Sequence, residues 1–158
     1  MELNITFQTT KKLGFPFAVF GSDDRMTAQD RPTNIRVLIV EDDYIAASDA
    51  EAVLTEAGID VVGIASSADE AVQLGGTSRP NLAIMDIRLN GSRDGVDAAI
   101  ELFREHGIRS VFATAHHDAH IRARAEPSAP LGWLAKPYTT NALIAIVRSA
   151  AAELKRSK

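Results

Sequence analysis

Six residues in this chain have types and positions suited to joint chemistry. Glu41, Asp42 and Asp43 follow the apolar run 37–40, and Asp86 follows the apolar run 82–85. Thr114 follows the run 111–113, and Lys136 follows the run 131–135, which only Gly132 interrupts. Three or four carboxylates, a hydroxyl and an ammonium therefore each stand at the end of a short apolar stretch. Clustered carboxylates repel one another unless a cation joins them. Carboxylate oxygens suit Mg²⁺, and Mg²⁺ beside a lysine suits a phosphoryl group. The residue types point to a site that takes up phosphate.

Such a site requires one rim on which all these run ends meet. Short apolar runs between turn signals read as strands of a buried parallel sheet. In sheets of that kind ligands bind just beyond the carboxyl ends of the strands. From residue 36 onward strand-like and helix-like patterns alternate. Strands are predicted at 36–40, 59–64, 82–85, 110–113 and 131–135. A first helix is expected over 44–57, with Asp43 as N-cap and Gly58 at its stop. A second begins after Ser66 or Ser67 and ends at Gly75-Gly76. A polar loop, 87–93, carries Asn90-Gly91. A third helix covers 95–105 and stops before Gly107. A polar fourth helix covers 118–125, and Pro127 and Pro130 bracket the turn that follows. The fifth starts near Thr139 and carries Leu143, Ile144, Val147, Ala151 and Leu154 at helical spacing. Five strands with five crossover helices make a doubly wound α/β fold with a five-stranded parallel sheet. Its common strand order is 2-1-3-4-5, with the switch point between the first and third strands. That order sets Glu41, Asp42 and Asp86 side by side, with Thr114 and Lys136 on the same rim.

Bulk properties remove several classes of function. The chain has 158 residues and a net charge of −4, and residues 1–34 hold four acids and four bases, so the excess lies in the rest. Mild acidity leaves no footprint for nucleic acid and no polybasic membrane patch. The absence of cysteine rules out disulfides and thiolate metal sites and fits a reducing compartment. No apolar run is long enough to span a bilayer. Lys11-Lys12 precede the apolar stretch 13–20, but Pro16 interrupts it and no small-residue cleavage site follows, so a cytoplasmic protein is expected. Residues 1–34 lack periodicity and read as a flexible extension; 35–158 read as the domain.

With these elements in place, the chain resembles a response regulator receiver domain, CheY-like in fold, across 35–155. Val-Glu-Asp-Asp at 40–43, Met-Asp at 85–86, Asp94-Gly95, Thr114 and Trp-Leu-Ala-Lys-Pro at 133–137 carry the resemblance, all in the family's order and spacing. The string Phe-Ala-Thr-Ala-His at 112–116 is similar to the FAT GUY subgroup. The resemblance implies that Asp86 accepts a phosphoryl group from a sensor histidine kinase. It implies that Glu41, Asp42, Asp86 and the backbone carbonyl of Arg88 hold Mg²⁺, and that Thr114 and Lys136 contact the phosphoryl oxygens. Thr114 and Trp133 would form the switch, and Arg88 and His116 would modulate loss of phosphate. The Lys136-Pro137 bond is cis in the family. This sequence departs from the family at Asn90, where a proline is usual, in a loop one residue longer before Asp94, and in Trp133, where Tyr or Phe is usual.

Taken singly, each residue has a plainer reading. Glu41 to Asp43 suit a helix N-terminus, Thr114 suits a strand, and Lys136 suits a solvated surface. His116, His117 and His120 have metal-like spacing but no evident fourth ligand. Three functional readings remain. The first is a stand-alone receiver signalling by protein contact through helix four, strand five and helix five, or serving as a phosphate sink, with no separate substrate turnover. The second is a Mg²⁺-dependent phosphohydrolase with an Asp nucleophile. The third is a receiver-like scaffold that works without phosphorylation. A flavodoxin-like binder fits poorly, because three acids after the first strand would repel its phosphate.

Overall fold

The computed structural model describes residues 35–115 and 118–157. The predicted extension 1–34 lies outside the described residues, as do His116 and His117. The elements in chain order are β1 (Arg36–Val40), α1 (Tyr44–Glu56), β2 (Asp60–Ala65), α2 (Ala68–Ser78) and β3 (Leu82–Asp86). They continue with α3 (Gly95–His106), β4 (Arg109–Thr114), α4 (Ala119–Ala125), a 3-10 turn (Glu126–Ser128), β5 (Gly132–Ala135) and α5 (Thr140–Arg156). The five strands are parallel and lie in the order β2-β1-β3-β4-β5, as the pattern predicts.

Capping side chains set where the helices begin. Asp43 accepts from the backbone N–H groups of Ile45 and Ala46 at the start of α1. Ser67 accepts from Glu70 at the start of α2, and Glu70 accepts in return from the Ser66 N–H. Asp94 and Asp97 form a reciprocal capping box on α3. Thr139 accepts from Ala142 on α5. Each satisfies N–H groups that the first turn of a helix leaves without partners.

The alternation of strand side chains divides the core in two. Val37, Ile39, Ile84, Val111, Ala113 and Leu134 pack under α1 and α5. Leu38, Val40, Ala83, Met85 and Phe112 pack under α2, α3 and α4. Both faces are covered, which is why the strands read as continuous apolar runs.

One predicted boundary is corrected. α2 does not end at Gly75-Gly76 but continues to Ser78, and Arg79 closes it in the left-handed region at φ 47°. The Arg36 side chain donates to the free Ser78 carbonyl at 2.7 Å. The two glycines serve packing instead. A Cβ on Gly75 would lie 2.3 Å from Leu102 Cδ2, so its absence lets α3 approach α2 closely. A Cβ on Gly76 would meet the His106 ring at 3.3 Å, a contact a small shift relieves. Other boundaries differ from expectation by a residue or so, and β2 slips by one against β1 at a register shift between Val37 and Leu38.

Gly75→Ala is therefore expected to destabilise the domain by about 1–3 kcal/mol through overpacking. Gly76→Ala should change stability by no more than about 1 kcal/mol, because helix propensity gained offsets the tighter contact. Urea unfolding of both variants separates a packing glycine from a merely tolerated one.

Candidate functional site

The sheet register assembles the site. Val40 pairs with Met85, Met85 with Phe112, and Phe112 with Trp133, so these four form one row across four strands. One residue further along each strand come Glu41, Asp86, Ala113 and Leu134. One further again are Asp42, Ile87, Thr114 and Ala135, and Lys136 follows. Backbone bonds continue the ladder past the strand ends, from Glu41 N–H to Ala65 O at 2.9 Å and from Lys136 N–H to Thr114 O at 2.9 Å.

The polar side chains converge as the sequence predicts. Glu41, Asp42 and Asp86 each offer a carboxylate oxygen within 4.8 Å of the other two. Lys136 Nζ donates to Glu41 Oε2 at 2.5 Å and to Asp86 Oδ2 at 3.0 Å. The side chains of Glu41 and Asp86 are only 9% and 12% exposed, so their charges are poorly screened by water. Burial pushes the Glu41 carboxyl above its usual range and the Asp86 charge adds to this, against hydrogen bonds from Lys136 and the Asp43 backbone. Burial alone would lower the Lys136 ammonium, but its bonds to Glu41 and Asp86 outweigh this and hold it above the usual lysine range. The three acids after β1 thus divide their work: Asp43 caps α1, Glu41 takes Lys136 and the Asp43 N–H, and Asp42 stands half-buried at the rim.

Thr114 is buried at the end of β4, and Arg88 is exposed in the loop after β3, its N–H donating to Asp86 Oδ1 at 3.2 Å. Trp133 is half-buried; its ring stacks on Phe112 at 4.8 Å with 21° between the planes, and the Arg122 guanidinium lies 4.7 Å above it. The Lys136-Pro137 bond is cis. His120 is exposed near the start of α4, whereas His116, the expected modulating residue, lies outside the described residues. An oxygen-only donor set of three carboxylates fits Mg²⁺, a hard cation that is held by one or two carboxylates plus water and phosphate.

Two supports of the site have reasons that only the fold shows, although Asp94-Gly95 already stands among the matching motifs of the sequence. The first is Gly95. A Cβ there would lie 1.8 Å from the backbone oxygen of Asp86, and the Gly95 N–H donates to Ile87 O at 2.9 Å. The glycine lets the start of α3 seat against the strand that carries Asp86. The second is a pair of arginines around the longer loop. Arg93 bridges Asp69 at 2.7 Å and Glu101, tying the loop to α2 and α3. Arg124 reaches Asp94 at 2.5 Å and Asp97 at 3.4 Å. These partners are 24 to 30 residues apart in most cases, so no local pattern reports them. A groove of about 830 Å³ also opens beside the site, between α1 and the turn after β5, and is lined by Glu41, Asp49, Val53, Lys136, Pro137 and Tyr138.

Comparison with known proteins agrees with this geometry. The sequence model of the response regulator receiver domain matches residues 37–148. The chain belongs to this family. The transcriptional regulatory protein PdtaR of Mycobacterium tuberculosis is 33% identical over 129 residues, covering 82% of this chain and 62% of that protein. The phyllosphere-induced regulator PhyR of Methylorubrum extorquens is 32% identical over 127 residues, covering 80% of this chain and 46% of that protein. The chain thus spans less than two thirds of the length of either relative. The signal receiver domain of a modulated diguanylate cyclase from Desulfovibrio desulfuricans superposes with a TM-score of 0.72 at 34% identity, covering 78% of this chain and 98% of that one. The receiver is a signalling domain, and its acidic cluster sits where the sheet order places it.

Two outcomes follow for the receiver's start of α3. Gly95→Ala should cost about 3 kcal/mol or more, because the clash is with backbone and cannot be relieved by a rotamer; urea unfolding measures it. Burial would raise the Asp94 carboxyl, but its bonds from Arg124, Asp97 N–H and Val96 N–H hold it below the ordinary value of 3.8. A lowered carboxylate adds stability above the unfolded value and loses it as pH falls through the folded one. The stability difference between wild type and Asp94→Asn, followed by thermal unfolding, should therefore be constant at neutral pH and shrink below pH 3.8.

Proposed function

We propose that this receiver accepts a phosphoryl group on Asp86 from the phosphohistidine of a sensor histidine kinase. The observation that carries the reading is the convergence of three carboxylates within 4.8 Å with Lys136 Nζ on two of them. An Asp86 carboxylate oxygen attacks phosphorus, the phosphorus–nitrogen bond breaks, and the donor's imidazole leaves with the bonding pair. Glu41, Asp42, Asp86 and the Arg88 carbonyl would hold Mg²⁺, whose charge neutralises the phosphoryl oxygens during transfer. Lys136 turns from the carboxylates to a phosphoryl oxygen, and the Thr114 hydroxyl donates to another. Positioning and electrostatics do most of the work in such transfers.

Tyr44 and Ile45, at the start of α1, are 80% and 71% exposed beside the carboxylates. With the adjoining groove they offer a donor protein an apolar footing. Output runs by protein contact through α4, β5 and α5, or the protein drains phosphate from a shared kinase; no separate substrate turnover is part of this reading. Phe112-Ala113-Thr114 closing β4 supports placing it in the FAT GUY subgroup. Among the described residues no helix is long and apolar enough to cross a membrane. A cytoplasmic receiver with residues 1–34 as an extension fits the cysteine-free composition.

Trp133 lies three residues before Lys136 and reports on the site through its fluorescence. Addition of Mg²⁺ should change it, and Asp42→Ala should weaken that response about tenfold or more, since even indirect supports of a metal ligand matter that much. Acetyl phosphate should then add one phosphoryl group to the intact mass, and beryllofluoride should change the fluorescence again. Asp86→Asn should abolish both. Unchanged mass and fluorescence in the wild type would leave a phosphorylation-independent scaffold, and steady release of phosphate from small esters would point to a hydrolase.

A further inference from the structure

Helix α4 has little apolar anchorage. Of its seven residues only Ala125 is buried, and Ile121 is half-buried against the core. A helix this short does not persist by its own hydrogen bonds. Two arginines on α4 reach neighbouring elements. The Arg122 guanidinium lies over the Trp133 ring, which is stacked on Phe112. Arg124 is bonded to Asp94 and Asp97 at the start of α3. Residues two apart on a helix point to different sides. One arginine therefore fastens α4 to β5 and the other fastens it to α3.

Both ties end beside the site. Trp133 belongs to the strand that delivers Lys136. Asp94 caps α3, and the next residue, Gly95, seats directly against the Asp86 carbonyl. Lys136 is bonded to Glu41 and Asp86, so the arginine ties coexist with a lysine still committed to the carboxylates. Drawing Lys136 toward a phosphoryl group would load the tie to β5, and rearranging the loop after Asp86 would load the tie to the α3 cap.

We propose that Arg122 and Arg124 form a two-sided latch on α4 that favours the resting arrangement and opens when Asp86 carries a phosphoryl group. The proposal rests on the phosphoryl-accepting reading above. Exposed ion pairs and cation–π contacts are individually weak. That weakness suits a switch, because a ligand moves such an equilibrium only by its differential affinity for the two arrangements. By the same linkage, removing a tie that favours the resting arrangement must tighten binding of a phosphoryl mimic.

The test titrates beryllofluoride at saturating Mg²⁺ into the full chain and follows bound fluoride by ¹⁹F NMR, a signal independent of Trp133. Arg122→Gln and Arg124→Gln should each lower the midpoint about two- to fivefold, and the double variant by about the product, as contacts of this strength allow. Amide hydrogen exchange in α4 should also quicken without beryllofluoride. Arg124→Lys should restore part of the wild-type midpoint, which a merely structural loss would not. If Arg124→Gln does not fold, Asp94→Asn breaks the same pair from the other side while keeping a capping residue. Midpoints that match or exceed the wild type's, in a wild type that binds beryllofluoride, overturn the latch alone. A wild type that binds none overturns the phosphoryl-accepting reading and the latch with it.

Discussion

The contact on which the rest of this structure depends is the ammonium of Lys136 between Glu41 and Asp86. Two carboxylates with about a tenth of their side-chain surface exposed cannot both stay charged at close range without a cation. Lys136 supplies that charge from the end of β5, two strands away from Asp86 and three from Glu41. The site thus holds opposite charges that can be redistributed when a further ligand arrives. Removing one partner of such a group would leave a buried charge uncompensated, which is far more costly than never burying the pair.

The sheet makes that contact available. A parallel sheet in the order β2-β1-β3-β4-β5 advances one residue per row across neighbouring strands, so the ends of β1, β3, β4 and β5 share a rim. The same register sends Trp133 to the face of Met85 and Phe112, under α4, and Leu134 to the face of α1 and α5. A residue packed on the α4 side of the sheet therefore stands three positions from the lysine at the rim. Strand alternation alone sets the packing beneath α4 a few residues from the rim.

The loop after Asp86 shows how the departures from the family's usual pattern are accommodated. Asn90 replaces a proline there, and the loop is one residue longer, so less of its path is fixed by the chain itself. Arg93 compensates by bridging Asp69 on α2 and Glu101 on α3, and Gly91 takes a positive φ of 119° within it. Gly95 then returns the chain against Asp86. The Asp86 backbone is thus backed by Gly95, and Arg93 ties the loop that follows it to α2 and α3.

The sequence by itself determined the class of fold, the strand count and the identity of the rim residues. These depend on local pattern: apolar runs of strand length, the Asp43 cap, and polar residues at run ends are readable within a few positions. Tertiary structure alone decided that α2 would run through Gly75-Gly76, since a glycine pair is a stop signal in one dimension and a packing surface when Leu102 and His106 lie against it. It also decided that Arg93, Arg122 and Arg124 would reach other elements, because their partners are brought near only by folding. Short-range constraints are written in the order of residues. Contacts between elements are set by register and layer, which exist only once the sheet has formed.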